Sequence, residues 1–185
     1  MRTSLAKHGP ERRPSVIDKL PRVDPDAADA TDPSAWFDAS TGIPGPAFWR
    51  TVLGIETARC SRYGRPATVV LAHAVGFDDL VELWGREVAM LGIVDVIDVL
   101  RAGCRASDFI ARLADDRVGM ILTETDEIEA INMIERLRDS GDRALAARAV
   151  GGRLAFGWAS ASASTSLFDA VVRADELLRN VAGSG

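Results

Sequence analysis

The sequence predicts an α/β fold in which helices pack against a mixed β-sheet. Two observations predict it. The runs "RPATVVLAHA" (65–74), "DFIARLA" and "RVGMILT" are short and rich in β-branched and apolar residues, as buried strands are. The longer segments around them repeat their apolar residues close to every 3.6 positions, the period of an amphipathic helix. Strands and helices that alternate in this way give helices layered on a sheet.

The elements follow in order. In "AWFDASTGIPGPAFW", Gly42, Pro44, Gly45 and Pro46 force a turn, and Pro46 suits the first turn of a helix reaching about Arg62. The strand at 65–74 comes next. From Phe77 to Arg105 the residues Leu80, Leu83, Trp84, Val88, Leu91, Val94, Ile97 and Leu100 read as helix, with Gly85 and Gly92 marking breaks or close packing. "RLADDRVGMIL" (112–122) is the hairpin, with Ala114, Asp115, Asp116 and Arg117 at its acidic tip. "EIEAINMIERLRD" is amphipathic through Ile128, Ile131, Ile134 and Leu137. "GRLAFGWAS" reads as a strand, "ASASASTS" (159–166) as a loop, and "SLFDAVVRADELLRNVA" as a last helix through Leu167, Val171, Leu178 and Val181.

The 185 residues suit one domain (35–185) and an extension (1–34). The extension holds five of the eight prolines, few β-branched or aromatic residues, and charges that turn from basic to acidic. Such a stretch buries too little apolar surface to offset its ordering entropy, so a disordered tail or linker is expected. A net charge of −5 argues against general nucleic-acid binding, which needs a basic surface. The run Val88–Leu100 is interrupted by Asp95 and Asp98, so no membrane span is expected, and no apolar run follows the basic N-terminal residues as a secretory signal requires. Cys60 and Cys104 lack metal-ligand spacing and fit reduced, packed thiols in a cytoplasmic protein. The four tryptophans read as packing residues.

Six motifs in order carry a resemblance over residues 36–183. They are "DASTGIPGP" with Asp38, Thr41 and Gly42, "ARCSRYGRPATVVL", "HAVGFD" with Phe77, "RASDFIARLADDRVGMIL", "AFGWA" and "ADELL". Together they resemble the GGDEF domain, the catalytic module of diguanylate cyclases. The resemblance implies a nucleotidyl cyclase-like fold, a ferredoxin-like palm whose mixed sheet is flanked by helices.

The departures from the family bear on function. By spacing, the five-residue tip falls on Ala114, Asp115, Asp116, Arg117 and Val118, and Asp116 alone keeps its type. The family's glycines let backbone approach the triphosphate, whereas Asp115 brings a negative side chain there. The two metal-binding aspartates fall on His73 and Val75, a poor donor set for Mg²⁺, which takes hard oxygen ligands. The guanine-reading positions fall on Val81 and Met90, and the phosphate-contacting lysine on Ala182. The resemblance therefore implies a degenerate domain with no cyclase activity, because phosphoryl transfer depends on positioning and charge neutralisation. No Mg²⁺–GTP binding and no other cofactor is expected.

Arg105 and Asp108 match the family's R-x-x-D inhibitory site, which binds cyclic di-GMP. An arginine can donate twice to guanine O6 and N7, and a carboxylate can accept from another edge of the base. The bland reading is an arginine at a helix end and an aspartate in a turn. Arg101 and Arg112 are candidates to complete the site. His73 and Asp116 are expected near each other, as a strand-end histidine and a turn residue. The tip itself is expected to be a solvated acidic turn with a local ion pair. Two functions follow: a cyclic di-GMP receptor, or a protein-interaction or homodimerisation module without nucleotide. An active cyclase is the third, least favoured reading. A docking role predicts an exposed apolar patch, with the helix of residues 47–62 as its candidate site.

Overall fold

The computed structural model describes residues 36–147 and 152–183, so the expected tail or linker at 1–34 lies outside the described residues. Helix α1 spans Pro46–Tyr63. It has Pro46 in its first turn, where the missing N–H costs nothing, and ends at Gly64, whose φ of 65° is left-handed and whose N–H donates to Cys60 O. Strand β1 is Ala67–Val75. The predicted helical stretch after it is two helices, α2 (Phe77–Trp84) and α3 (Arg86–Gly103). Gly85 makes the break: it has φ 84° and ψ 159°, a conformation that L side chains avoid, and its N–H bonds back to Val81 O. Gly92 breaks nothing and lies buried inside α3.

Strands β2 (Phe109–Ala114) and β3 (Arg117–Thr123) form the hairpin. Helix α4 runs Glu127–Ala147, past the predicted end at Asp139, because Gly141 and Leu145 are also buried against the sheet and α3. Strand β4 is Arg153–Ala161 and helix α5 is Leu167–Ala182. Part of the predicted serine-rich loop is therefore strand: Ala159 and Ala161 point into the core and Ser160 pairs with Thr68 of β1. Ser166 caps α5 in a reciprocal capping box with Asp169.

The sheet order is β2-β3-β1-β4, and each neighbouring pair is antiparallel. The predicted mixed sheet is thus corrected to an antiparallel one. Strands β1 and β2 do run the same way, as a helical crossover requires, but β3 is inserted between them. This is the split β-α-β arrangement of ferredoxin-like folds. Both faces are covered. Val70, Ala72, Met120 and Phe156 meet α2, α3 and α4, while Val69, Leu71 and Ile121 meet α1 and α5. Burial on both sides explains why β1 reads as a continuous apolar run without alternation. Among the described residues, no helix is long and apolar enough to cross a membrane.

Candidate functional site

The sheet brings the C-terminal end of β1 beside the β2–β3 tip. His73 pairs in register with Arg117, and Ala74 N–H donates to Asp116 O at 2.9 Å. His73 Nε2 lies 3.1 Å from Asp116 Oδ2, with both side chains largely buried. This contact assigns the proton to Nε2. Nδ1, the other ring nitrogen, is buried with no hydrogen-bond partner among the described residues. Burial pushes the Asp116 carboxyl up, but the His73 hydrogen bond, the charges of His73 and Arg117 and a backbone N–H outweigh it, and the net shift is downward.

Arg117 points the other way, towards α5. Its Nη1 is 3.6 Å from Oδ1 of the fully buried Asp175, within ion-pair range but beyond hydrogen-bond range. Arg179 Nη2 approaches Asp175 Oδ2 at 3.1 Å. Arg117 and Arg179, but not the buried Asp175, open onto a cleft of about 850 Å³. His73, Val75, Asp116, Arg117 and Ala182 line it together with the N-terminus of α2. Five of the positions singled out in the sequence thus share one cleft. Val118 is buried in the core, while Val81 and Met90 are half-buried against it.

Ala114 and Asp115 belong to a second cluster, built around Arg112. A register shift between Arg112 and Ala114 interrupts the ladder there. Arg112 is 4% exposed and its guanidinium donates to Asp38 Oδ1 (2.9 Å), Met90 Sδ (3.1 Å) and Asp115 Oδ1 (3.0 Å). Arg86 of α3 closes on Asp115 Oδ2 at 2.6 Å. Asp38 also accepts from the hydroxyls of Ser40 and Thr41 and from Thr41 N–H. Burial pushes Asp38 up, yet these hydrogen bonds and the Arg112 charge bring its pKa down to about 2.

The expected solvated acidic turn is therefore corrected. Asp115 is clamped by two arginines, Asp116 is engaged by His73, and Arg117 is buried. The ion pair of Arg112 with Asp115 spans three residues and is the local pair expected at the tip, whereas Arg86–Asp115 and Arg112–Asp38 join positions distant in the chain. Asp175, inside the quoted "ADELL", could have been matched to the cation at Arg117. The tip needs no glycine for its backbone: Glu124 is the one non-glycine residue with positive φ among the described residues.

Arg105 and Asp108 lie away from both clusters, in the turn between α3 and β2. Arg105 is past the end of α3, whose last turn carries Arg101 instead. Asp108 accepts from Arg105 N–H (2.8 Å) and Thr123 N–H (3.1 Å), so its carboxylate fixes the turn to β3. The Arg105 side chain is exposed, with no ion pair or hydrogen bond through its guanidinium among the described residues. Arg112 is committed to the hairpin cluster and is corrected as a candidate partner of this pair.

Cys60 and Cys104 are free thiols. Burial raises both, Cys104 to about 12, so neither is a ready nucleophile. Trp49 is fully buried, but Trp84 is 64% exposed and does not pack as expected. Among the described residues, no three His, Cys, Asp or Glu side chains gather as a metal cluster.

Comparison with known proteins places this geometry in a family. "Probable diguanylate cyclase DgcC" of Escherichia coli K12 is 29% identical over 102 residues, covering 55% of this chain and 28% of that protein. "Diguanylate cyclase DosC" of the same strain is 26% identical over 102 residues, covering 55% of the chain and 22% of that protein. The matched region is thus about a quarter of these relatives' length. Among solved structures, diguanylate cyclase SiaD of Pseudomonas aeruginosa, crystallised with its activator SiaC, superposes with a TM-score of 0.74 at 25% identity, covering 80% of this chain and 58% of that one. The GGDEF domain of DgcB from Caulobacter crescentus, solved with c-di-GMP, gives 0.73 at 17% identity, covering 82% and 92%. The family described as "Diguanylate cyclase, GGDEF domain" matches residues 35–185, and the chain belongs to the GGDEF family.

Proposed function

We propose that this GGDEF domain makes no cyclic di-GMP and acts in signalling by binding, with cyclic di-GMP held by Arg105 and Asp108. The observation that carries the non-catalytic part is the pairing at the tip. At the family's metal positions stand His73, spent on Asp116, and Val75, whose side chain has no donor atom. That donor set does not fit Mg²⁺, which takes several oxygen ligands. The Asp115 carboxylate, held by Arg86 and Arg112, places a side chain at the tip that the resemblance assigns to phosphate. The likeness to SiaD and DgcB supports a nucleotide or protein partner in general, and nothing more specific.

The receptor reading rests on the exposed guanidinium of Arg105 beside an aspartate fixed by backbone N–H groups. Asp108 Oδ2 keeps a second lone pair for a ligand donor, while Oδ1 accepts from both the N–H and the hydroxyl of Thr123. The second reading, a protein-docking module without nucleotide, is favoured by one observation. Leu83, Trp84, Val88 and Leu91 are all exposed at the α2–α3 corner. The expected patch on α1 reduces to Ile55 and Tyr63.

Titration calorimetry with cyclic di-GMP separates the two. Binding that Arg105→Ala abolishes supports the receptor, and no heat from either protein leaves the docking module. Incubation with GTP and Mg²⁺ is expected to yield no cyclic dinucleotide, and sustained product formation would overturn the non-catalytic reading.

A further inference from the structure

The corner between α2 and α3 is unlike the rest of the surface. Within nine consecutive residues it exposes Leu83 (72%), Trp84 (64%), Val88 (43%) and Leu91 (49%). Exposed apolar side chains crowded in this way mark a contact surface. Acidic charges flank them, and the cation among them, Arg86, is ion-paired to Asp115. Glu82 and Glu87 are exposed beside the patch and Asp98 lies further along α3. Two such acidic rims would repel each other, which disfavours a second copy seated face to face. The same rim repels anionic lipid and nucleic acid. The surface fits a segment that is apolar and basic.

The chain contains one. Residues 12–23, "RRPSVIDKLPRV", carry Arg12, Arg13, Lys19 and Arg22 against the single acid Asp18, with Val16, Ile17, Leu20 and Val23 as apolar residues. The chain also enters the domain near the patch. Asp38 is bonded to Arg112, which touches Met90 of α3 and shares Asp115 with Arg86 in the first turn of that helix. The route from Val23 to Trp36 is thirteen residue steps, which can reach about 40 Å when extended. Along it, Asp24, Asp26, Asp29 and Asp32 are repelled by the acidic rim, which favours the basic stretch as the part that settles there.

We infer that residues 12–23 of this chain dock on the acidic-rimmed apolar corner formed by Leu83, Trp84, Val88 and Leu91. The corner includes Arg86, two residues from both Trp84 and Val88, and so adjoins the ion pair that clamps the hairpin tip. The hold on the docked segment combines apolar burial with charge attraction, and rising ionic strength weakens the second part.

The test uses the full chain and acrylamide quenching of Trp84, isolated by subtracting the signal of the Trp84→Phe protein. The variant carries Val16→Asp, Ile17→Asp and Leu20→Asp, three of the apolar residues of the basic stretch. The expected result is a red shift of Trp84 emission and a loss of its protection in the variant, the same at every protein concentration. Equal quenching in both proteins overturns the proposal and assigns the corner to another partner. Protection that disappears on dilution also overturns it, because the segment would then come from a second copy.

Discussion

At the residue scale, Arg112 is the side chain on which the hairpin tip depends. Its guanidinium is buried and neutralises Asp38 on one side and Asp115 on the other. Arg112→Met keeps much of the volume but leaves both carboxylates without that cation. Removing one partner of a buried pair costs more than the pair itself contributes. Because both carboxylates keep some water, we expect a loss of about 2 kcal/mol, read from urea unfolding. The same contacts set an acid limit. With the folded pKa of Asp38 near 2 and the usual value near 3.8, the unfolded chain takes up the proton first as pH falls. The contribution of Asp38 is therefore complete above about pH 4 and lost as the pH drops towards 2. The downward shift of Asp116 acts in the same sense. Asp38→Asn should flatten the acid limb of the stability–pH curve, and an unchanged limb would remove Asp38 as its cause. The pairing of Arg112 with Asp38 was not legible in the sequence, whereas Asp115 stands only three residues from Arg112. An ion pair between positions 38 and 112 depends on a chain path that local pattern does not contain.

At the element scale, the approach of α5 to β4 decides the packing of the second core. A Cβ on Gly157 would sit 2.0 Å from Ala174 O and 2.6 Å from Leu178 N, both helix backbone that cannot rotate away. Gly157→Ala must lift the whole helix from the sheet, and a destabilisation of about 3 kcal/mol by thermal unfolding is expected. Near-normal stability would mean that α5 can slide. The start of the same helix gives a milder case. Ser166→Ala removes the side-chain half of the capping box and should cost about 1 kcal/mol. The helices and the hairpin were legible because apolar period and turn chemistry are local. The extra length of α4 and the strand character of Ala159–Ala161 were not, since both are settled by burial against partners far along the chain.

At the scale of the whole molecule, one antiparallel sheet is shared by two apolar cores, so neither core can melt without exposing a face of the other. A single cooperative transition is expected, with calorimetric and van't Hoff enthalpies agreeing. A resolved second transition would show that the α1–α5 layer separates from the sheet. The sequence by itself determined the order of elements, the membership in the GGDEF family and which residue types stand at the tip, because these follow from local period, turn residues and motif spacing. The tertiary structure decided the rest. It made the sheet antiparallel by inserting β3 between β1 and β2, and it joined Arg117 to Asp175 and Arg112 to Asp38. It also left Trp84 exposed at the α2–α3 corner. The physical reason is the same in each case: burial and charge pairing are properties of neighbours in space, and sequence fixes only neighbours along the chain.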